Sequence, residues 1–381
     1  MISETLAQFS DWFMYLAAVI YTVAFIAFTW DMASNSRTAR GDRSASVQQD
    51  AASESSAATE RQLVGAGVGA SSAKSKTKAA GRGGSSVASA RVTATEQGTG
   101  ARGMGYKRSA EKKIAGHVAD SSMRWGSSPA RKVARIAVAV TAVGTLVHAA
   151  GVIMRGLAAQ RVPWGNMYEF CTTGALCVTA VYLIALIFRD LRFVGTLVTG
   201  LAVIMMCAAT IGFPTPVGHL KPALQSYWLV IHVSIAVLAS SIFTITFAMA
   251  VLQLMQTKRE RRILEGEDPK MGFLRMVPSS QTLENFAFRL NTVGFVMWTF
   301  TLAAGAIWAE KAWGRYWGWD PKEVWTFIIW VVYAAYLHAR ATRSWTGPRS
   351  AWLSIAGYAC IIFNFAVVNV FFQGLHSYSG L

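Results

Sequence analysis

Eight stretches of this chain are apolar over the length a helix needs to cross a bilayer. A hydrocarbon core about 30 Å thick takes roughly 20 residues of α-helix. Segments 12–30, 134–153, 168–188, 193–213, 227–255, 288–308, 323–339 and 352–373 all qualify. With no water in the bilayer, backbone N–H and C=O groups must be satisfied within each segment, which selects helix. Composition agrees: 53% of residues are hydrophobic and 15% charged, against about 25% charged in a soluble domain. The expected fold is an all-α polytopic membrane protein with about eight transmembrane helices, and an ordinary soluble enzyme is excluded.

The formal charge of +16 would suggest nucleic-acid binding if it were spread evenly. It is not. Residues Ser34–Arg135 hold 18 Lys/Arg against 7 Asp/Glu, which is +11 of the total. Lys and Arg accumulate on the cytoplasmic side, so this segment belongs inside and both termini outside. Arg189 and Arg192, then Lys258, Arg259, Arg261 and Arg262, then Arg340, Arg343 and Arg349 also fall inside. Arg155, Arg161, Lys221, Lys311, Arg315 and Lys322 fall outside against the bias, which makes them candidates for holding an anion. The first helix carries Glu4 and Asp11 in place of a basic leader and reads as a retained anchor. The expected molecule is a multi-pass protein of a bacterial plasma membrane.

Segment Ser34–Arg135 is rich in Ser, Ala, Gly, Lys and Arg and poor in aromatics, so it is expected to be disordered. Basic runs such as Lys74-Ser-Lys76-Thr-Lys78 suit anionic lipid headgroups; without interleaved aromatics, nucleic acid is not an expected partner. The organisation is then an anchor over 1–33, a basic cytoplasmic linker over 34–133 and a seven-helix domain over 134–381. The four cysteines (Cys171, Cys177, Cys207, Cys360) lie in apolar runs with no C-x-x-C pair and read as small buried hydrophobes.

Seven of the fourteen tryptophans fall between Trp298 and Trp330. An interfacial aromatic belt accounts for Trp298, Trp308 and Trp330. It does not account for Trp313-Gly-Arg-Tyr-Trp317-Gly-Trp319-Asp320-Pro-Lys-Glu323-Val-Trp325, where indoles crowd an external loop and its following helix start. Glycine lets a flat ligand approach closely, and Trp313, Trp317 and Trp319 beside Arg315 and Lys311 suit a large planar anion. Asp320 and Glu323 have a structural reading first, since Asp-Pro-x-Glu is a capping-box arrangement; ligand contact is the second reading of Asp320.

This loop resembles the tryptophan-rich WWD loop of the haem-handling family that includes CcsA and ResC (labelled CcsB in some bacteria), of system II cytochrome c maturation. Further landmarks follow in the family's order: Arg155…Pro163-Trp-Gly-Asn-Met-Tyr-Glu169, LKPALQSYWLVIHV, YLHAR and the terminal GLHSY. Coverage runs from about residue 134 to 381, with the loop at 309–325; the basic insert after the first helix is the departure. The resemblance implies haem b (iron protoporphyrin IX) as cofactor, apocytochrome c carrying C-x-x-C-H as substrate and a ResB-like membrane partner. It implies a haem-contacting set of Trp313, Gly314, Arg315, Trp317, Trp319, Asp320, Trp325 and Arg155.

Topology sorts the histidines. His232, about 12 Å into a fifth helix starting near Leu224, and His376, beyond the last helix, share the outer side. With the resemblance they are expected to ligate haem iron. His338 stands about 24 Å deeper than Lys322 and cannot share that iron; the resemblance makes it a ligand of a second haem, completed by the partner. His148 is expected to pack between helices, His219 to be a loop residue, and His117 carries no inference. The expected function is to move haem to the external face and present it for thioether attachment, as a subunit of a cytochrome c synthase. A haem exporter without ligation activity is the alternative, and a haem-free assembly factor a third. No phosphate-binding loop supports an ATP-driven pump.

Overall fold

The computed structural model describes residues 3–65, 110–111, 113–114, 117–126, 131–218, 224–342 and 345–376, with the backbone alone for 35–65. Eight helices within these are long and apolar enough to span a bilayer, at the eight places the apolar runs predict. They are α1 (Glu4–Gly65, apolar to Ser34), α2 (Lys132–Ala159), α3 (Met167–Phe188), α4 (Gly195–Cys207, continued by a π-helical turn to Gly212), α5 (Tyr227–Glu265), α6 (Ser280–Trp313), α7 (Pro321–Ala341) and α8 (Pro348–Ile362). A π-helical stretch, Phe363–Val368, carries α8 on to Phe371. The protein spans the membrane many times. Large apolar side chains point outward, Leu146 (71% exposed) and Ile187 (73%) among them, as lipid-facing positions must.

Helix α1 lies along α2, and small residues let them approach. A Cβ on Gly144 would meet Ile20 and Tyr21, and one on Gly151 would meet Phe13. Where the helices touch, polar side chains pair. The Ser10 hydroxyl donates to the Gly151 carbonyl at 2.8 Å. Tyr21 gathers Thr145, His148 and Thr179 around its hydroxyl at 3.0–3.3 Å. At the inner end the buried Asp31 carboxylate receives Arg131 Nε at 2.7 Å and the Ala134 amide at 3.2 Å, which joins α1 to the first turn of α2.

The segment expected to be disordered is corrected at both ends. Helix α1 continues to Gly65. Residues 117–126 form a strap across the inner end, where Met123 is buried, Trp125 Nε1 donates to the Leu186 carbonyl and the Asp190 amide donates to the Met123 carbonyl. One tryptophan and one methionine in a polar run anchor it together with hydrogen bonds from Ala119 to the Val277 carbonyl and from Arg189 and Arg259 to the Ser122 and His117 carbonyls. Residues 66–109, including the Lys74–Lys78 run, lie outside the described residues, as do Lys221, His219 and Arg343.

The seam between α3–α4 and α5–α8 decides where a site can be. Its inner half is filled by one apolar cluster that includes Phe28, Tyr182, Leu186, Val198, Ile245, Met249 and Leu283. Its outer half is not filled. A cavity of about 300 Å³ occupies it.

Asp31 is the buried half of an ion pair, so Asp31→Ala strands the Arg131 guanidinium and is expected to cost about 3–5 kcal/mol. The thermal midpoint of the detergent-solubilised protein should fall accordingly, and an Asp31→Leu/Arg131→Met double variant should recover much of it.

Candidate functional site

The cavity follows α5 inward from His232 to Thr244, about 18 Å of helix axis. Its walls come from α3, α4, α5, α6, the first turn of α7, α8 and His376. The volume is at the lower edge of the usual small-molecule range of about 300–1,000 Å³. The lining is mainly apolar and aromatic, with few polar groups.

His232 is locked in place. Helix α5 starts at Tyr227, capped by Ser226, three residues later than expected, so His232 sits about 8 Å below the helix start. Its Nδ1–H donates to the Thr301 carbonyl at 2.9 Å, which leaves Nε2 without a partner among the described residues. Its ring stacks on Trp308, with centroids 5.8 Å apart and planes at 12°. A Cβ on Gly305 would lie 2.7 Å from His232 Cε1, so only glycine there admits the imidazole in this pose. Thr301, Gly305 and Trp308 are spaced i, i+4, i+7 on one face of α6.

His376 approaches Trp308 from beyond α8. Its ring centroid is 5.4 Å from Trp308 and 4.9 Å from Trp313, edge-on to both. Its Nδ1–H donates to Asp320 Oδ2 at 2.8 Å, again leaving Nε2 without a partner among the described residues. Asp320 also accepts from the Leu375 amide at 2.7 Å and the Lys322 amide at 3.1 Å. Burial works against the Asp320 charge, but the hydrogen bonds from His376, Leu375 and Lys322 outweigh it and hold the carboxyl below its ordinary range.

The loop is built by its own carboxylates. Asp320 and Glu323 form the capping box of α7, and Glu323 Oε2 additionally accepts from the Gly318 amide at 2.7 Å. Trp319 adopts a left-handed backbone (φ 59) as the chain turns into the cap. On the neighbouring loop, buried Glu169 receives Arg155 Nε at 3.1 Å, Arg161 at 2.8 Å and 3.0 Å, and the Gly165 amide at 2.7 Å. Asn166 caps α3. That frame sets Trp164 against Trp308 in one apolar cluster and on the cavity wall.

The structure brings His232, His376, Trp317 and Trp313 to one place. Trp317 lines the cavity, and Trp313 touches both Trp308 and His376. Other expectations need correcting. Arg155 is 1% exposed and spent on Glu169, Asp11, the Thr215 carbonyl and the Tyr168 ring, so it does not reach the cavity. Arg315 leans on Glu323 at 3.4 Å and over Gly318. Gly314 terminates α6 with φ 70. Trp319 is 76% exposed and meets only the edge of Trp317, while Trp325 packs on Phe363 at 4.1 Å. Asp320 acts through His376 rather than from the main wall. His338 is exposed near the inner end of α7, away from the cavity, and His148 is buried beside Tyr21.

Trp308 and Trp298 are not belt residues. Trp308 is 2% exposed and in contact with both histidines, and Trp298 is buried with its indole N–H on the Thr326 carbonyl. Gly305, Thr301, Trp164 and Asn364 were missed as well, whereas Lys322, one of the external cations, lies on the wall. The i, i+4, i+7 face of α6 held the one available signal, but its partner is on another helix.

The sequence profile described as "Cytochrome C assembly protein" matches residues 164–376, more than half of the chain and all of the site. The chain belongs to this family. Its relatives include proteins named "Cytochrome c biogenesis protein CcsA". The one from Guillardia theta is 37% identical over 235 residues, covering 58% of this chain and 77% of that protein. The one from Microcystis aeruginosa is 33% identical over 279 residues, covering 62% and 85%. Among solved structures, the chain titled "Cytochrome c Heme Lyase CcmF" aligns with a TM-score of 0.47 at 16% identity, over 72% of this chain and 48% of that one. The protein is thus a multi-pass membrane protein of cytochrome c maturation.

Gly305→Ala should leave α6 intact, since alanine is the better helix former, and displace the His232 ring. Circular dichroism is expected to show an unchanged helix content. The stacking of His232 on Trp308 should be lost, read as a change in tryptophan fluorescence.

Proposed function

We propose that this protein holds haem at its outer end and presents it for covalent attachment to apocytochrome c, as one subunit of a cytochrome c synthase. One observation carries the reading. His232 and His376 both pack on Trp308 and line one cavity, each with Nδ1 engaged and, among the described residues, Nε2 without a partner. A ligating imidazole is typically oriented this way, its second nitrogen donating to a carbonyl or carboxylate. The residues therefore fit a haem, whose iron takes imidazole as axial ligand, and the indoles supply flat apolar contact for the macrocycle.

The chain's own residues position, and do not supply, the reacting groups. The apocytochrome's two cysteines are the nucleophiles: each S–H adds across a haem vinyl group, sulfur to one carbon and hydrogen to the other, with no leaving group. Fixing the haem beside a docked peptide replaces a bimolecular encounter with a local one. The peptide's histidine must then take one axial position. His376 suits exchange, because it lies on a non-helical segment beyond α8 and, among the described residues, its one hydrogen bond is to Asp320. His232 is fixed by helix α5, Gly305 and Thr301.

We assign His338 to a second haem whose other ligand comes from a ResB-like partner. In support, His338 is exposed on the same face of α7 as Val331 and Phe327, where another chain's helix can reach it. The basic segment at 34–133 serves as the inner linker after the anchor, and the seven helices that follow are the haem-handling unit.

A pyridine haemochrome assay on the purified protein tests the outer site. Wild type is expected to carry haem, and His232→Ala/His376→Ala to lose the outer portion, restored by added imidazole. His338→Ala should keep the outer portion. Full haem in the double variant would falsify the ligand assignment. Unimpaired holocytochrome formation with Trp317→Ala would move attachment elsewhere and favour the exporter.

A further inference from the structure

The cavity wall carries a single cationic side chain among the described residues, Lys322. It is the second residue of α7, and its ammonium reaches across to α8. There Nζ donates to the Asn364 carbonyl at 2.8 Å and to Asn369 Oδ1 at 2.7 Å. Asn364 belongs to the π-helical stretch Phe363–Val368, a widened turn of the kind that recurs at functional sites. Both acceptors are neutral. They hold the ammonium in place without cancelling its charge, and they use two of its three donors.

The neighbouring cations differ from it. Arg155 and Arg161 share Glu169, Arg315 has Glu323, and exposed Lys311 has Glu310 at 3.0 Å. Asp320, near Lys322 in the chain, gives its carboxylate to His376 and to the Leu375 and Lys322 amides. Lys322 therefore feels the Asp320 charge without a direct ion pair; a cation on an apolar cavity wall with no carboxylate paired to it is costly, and an anionic group of the ligand lowers that cost. Lys322 also borders a small void of about 10 Å³ that it shares with Asp320, Asn369 and His376. It therefore adjoins one of the two histidines that contact Trp308.

We propose that Lys322 is the carboxylate-recognising residue of the cavity, pairing its third N–H with a propionate of haem. This rests on the reading that the cavity holds haem. It goes further by assigning how the ligand is turned. In protoporphyrin IX the propionates leave from one edge and the vinyl groups from the opposite edge. A cation that fixes the propionate edge also fixes the vinyl edge, where the peptide thiols must add. Lys322 is a specificity-determining residue, not a catalytic one.

The test uses the full-length protein in detergent, with tryptophan fluorescence quenching as readout and two probes, iron protoporphyrin IX and its dimethyl ester. The ester keeps the ring, iron and vinyl groups and removes both carboxylates. Wild type is expected to bind the diacid about tenfold or more tighter than the ester, the scale of one charge-assisted hydrogen bond. Lys322→Met should abolish that preference while binding the ester as wild type does. Lys322→Arg should keep part of it, and Arg315→Gln should keep it in full. Equal binding of diacid and ester by wild type would overturn the assignment without any variant. So would an undiminished preference in Lys322→Met, or its loss in Arg315→Gln. If wild type binds neither porphyrin, the haem reading fails, and this one with it.

Discussion

A single carboxylate, that of Asp320, ties the outer end of the molecule together. It caps α7, receives the Leu375 amide and orients the His376 imidazole, joining parts of the chain 55 and 56 residues apart. The bilayer makes each apolar run a helix, but it does not say how helix ends meet. At the outer end of this protein that is decided by buried acids. Glu323 gathers the Gly318 and Asp320 amides, and Glu169 gathers two arginines and the Gly165 amide. Each carboxylate satisfies donors that lipid and apolar side chains cannot. Each thereby fixes a loop that carries an aromatic to the cavity: Trp164 behind Glu169, Trp317 behind Glu323.

The cavity persists because the seam around it is unequally filled. Toward the inner end, aliphatic and aromatic side chains from six helices close it. Toward the outer end, the same seam is lined by small residues where a large one would close it. Gly305 leaves room for His232, and Gly174 meets the Met205 side chain with no Cβ to spare. The histidines stand where the packing stops. A ring held by stacking on Trp308 and by one hydrogen bond at Nδ1 is rigid without being enclosed, and an open ligand nitrogen requires that combination.

How much of this was legible beforehand follows from the range of the interactions. All eight spans were readable, because about 20 apolar residues is a local signal with a single physical answer. The capping box was readable too, since Asp320 and Glu323 are three residues apart. The shared side of His232 and His376 followed from counting spans. What could not be read was the pairing across helices. Nothing local to Gly305 says that a histidine from α5 will lie against it. Nothing local to Lys322 says that Asn364 and Asn369 of α8 will receive it. Trp308 looked like a belt residue because depth along one helix does not show which way the side chain turns. The strap at 117–126 was lost in the composition of its surroundings, where two apolar side chains counted for little in an average and for much in the packing.

The misplaced arginine is instructive about charge. Six cations defied the positive-inside trend, and a guanidinium seemed the natural partner for a carboxylate ligand, because its planar fork binds carboxylates with two parallel bonds. The same property removes it from the cavity. A carboxylate already in the fold matches that fork as well as a ligand does, and Glu169 claims both Arg155 and Arg161 while Glu323 claims Arg315. An ammonium has no such shape preference. It is a compact point charge with three independent donors, so two neutral asparagine groups can hold it and leave a donor over. In an outer end crowded with structural acids, the arginines build the frame, and among the described residues Lys322 is the cation on the cavity wall that is not paired directly with a carboxylate.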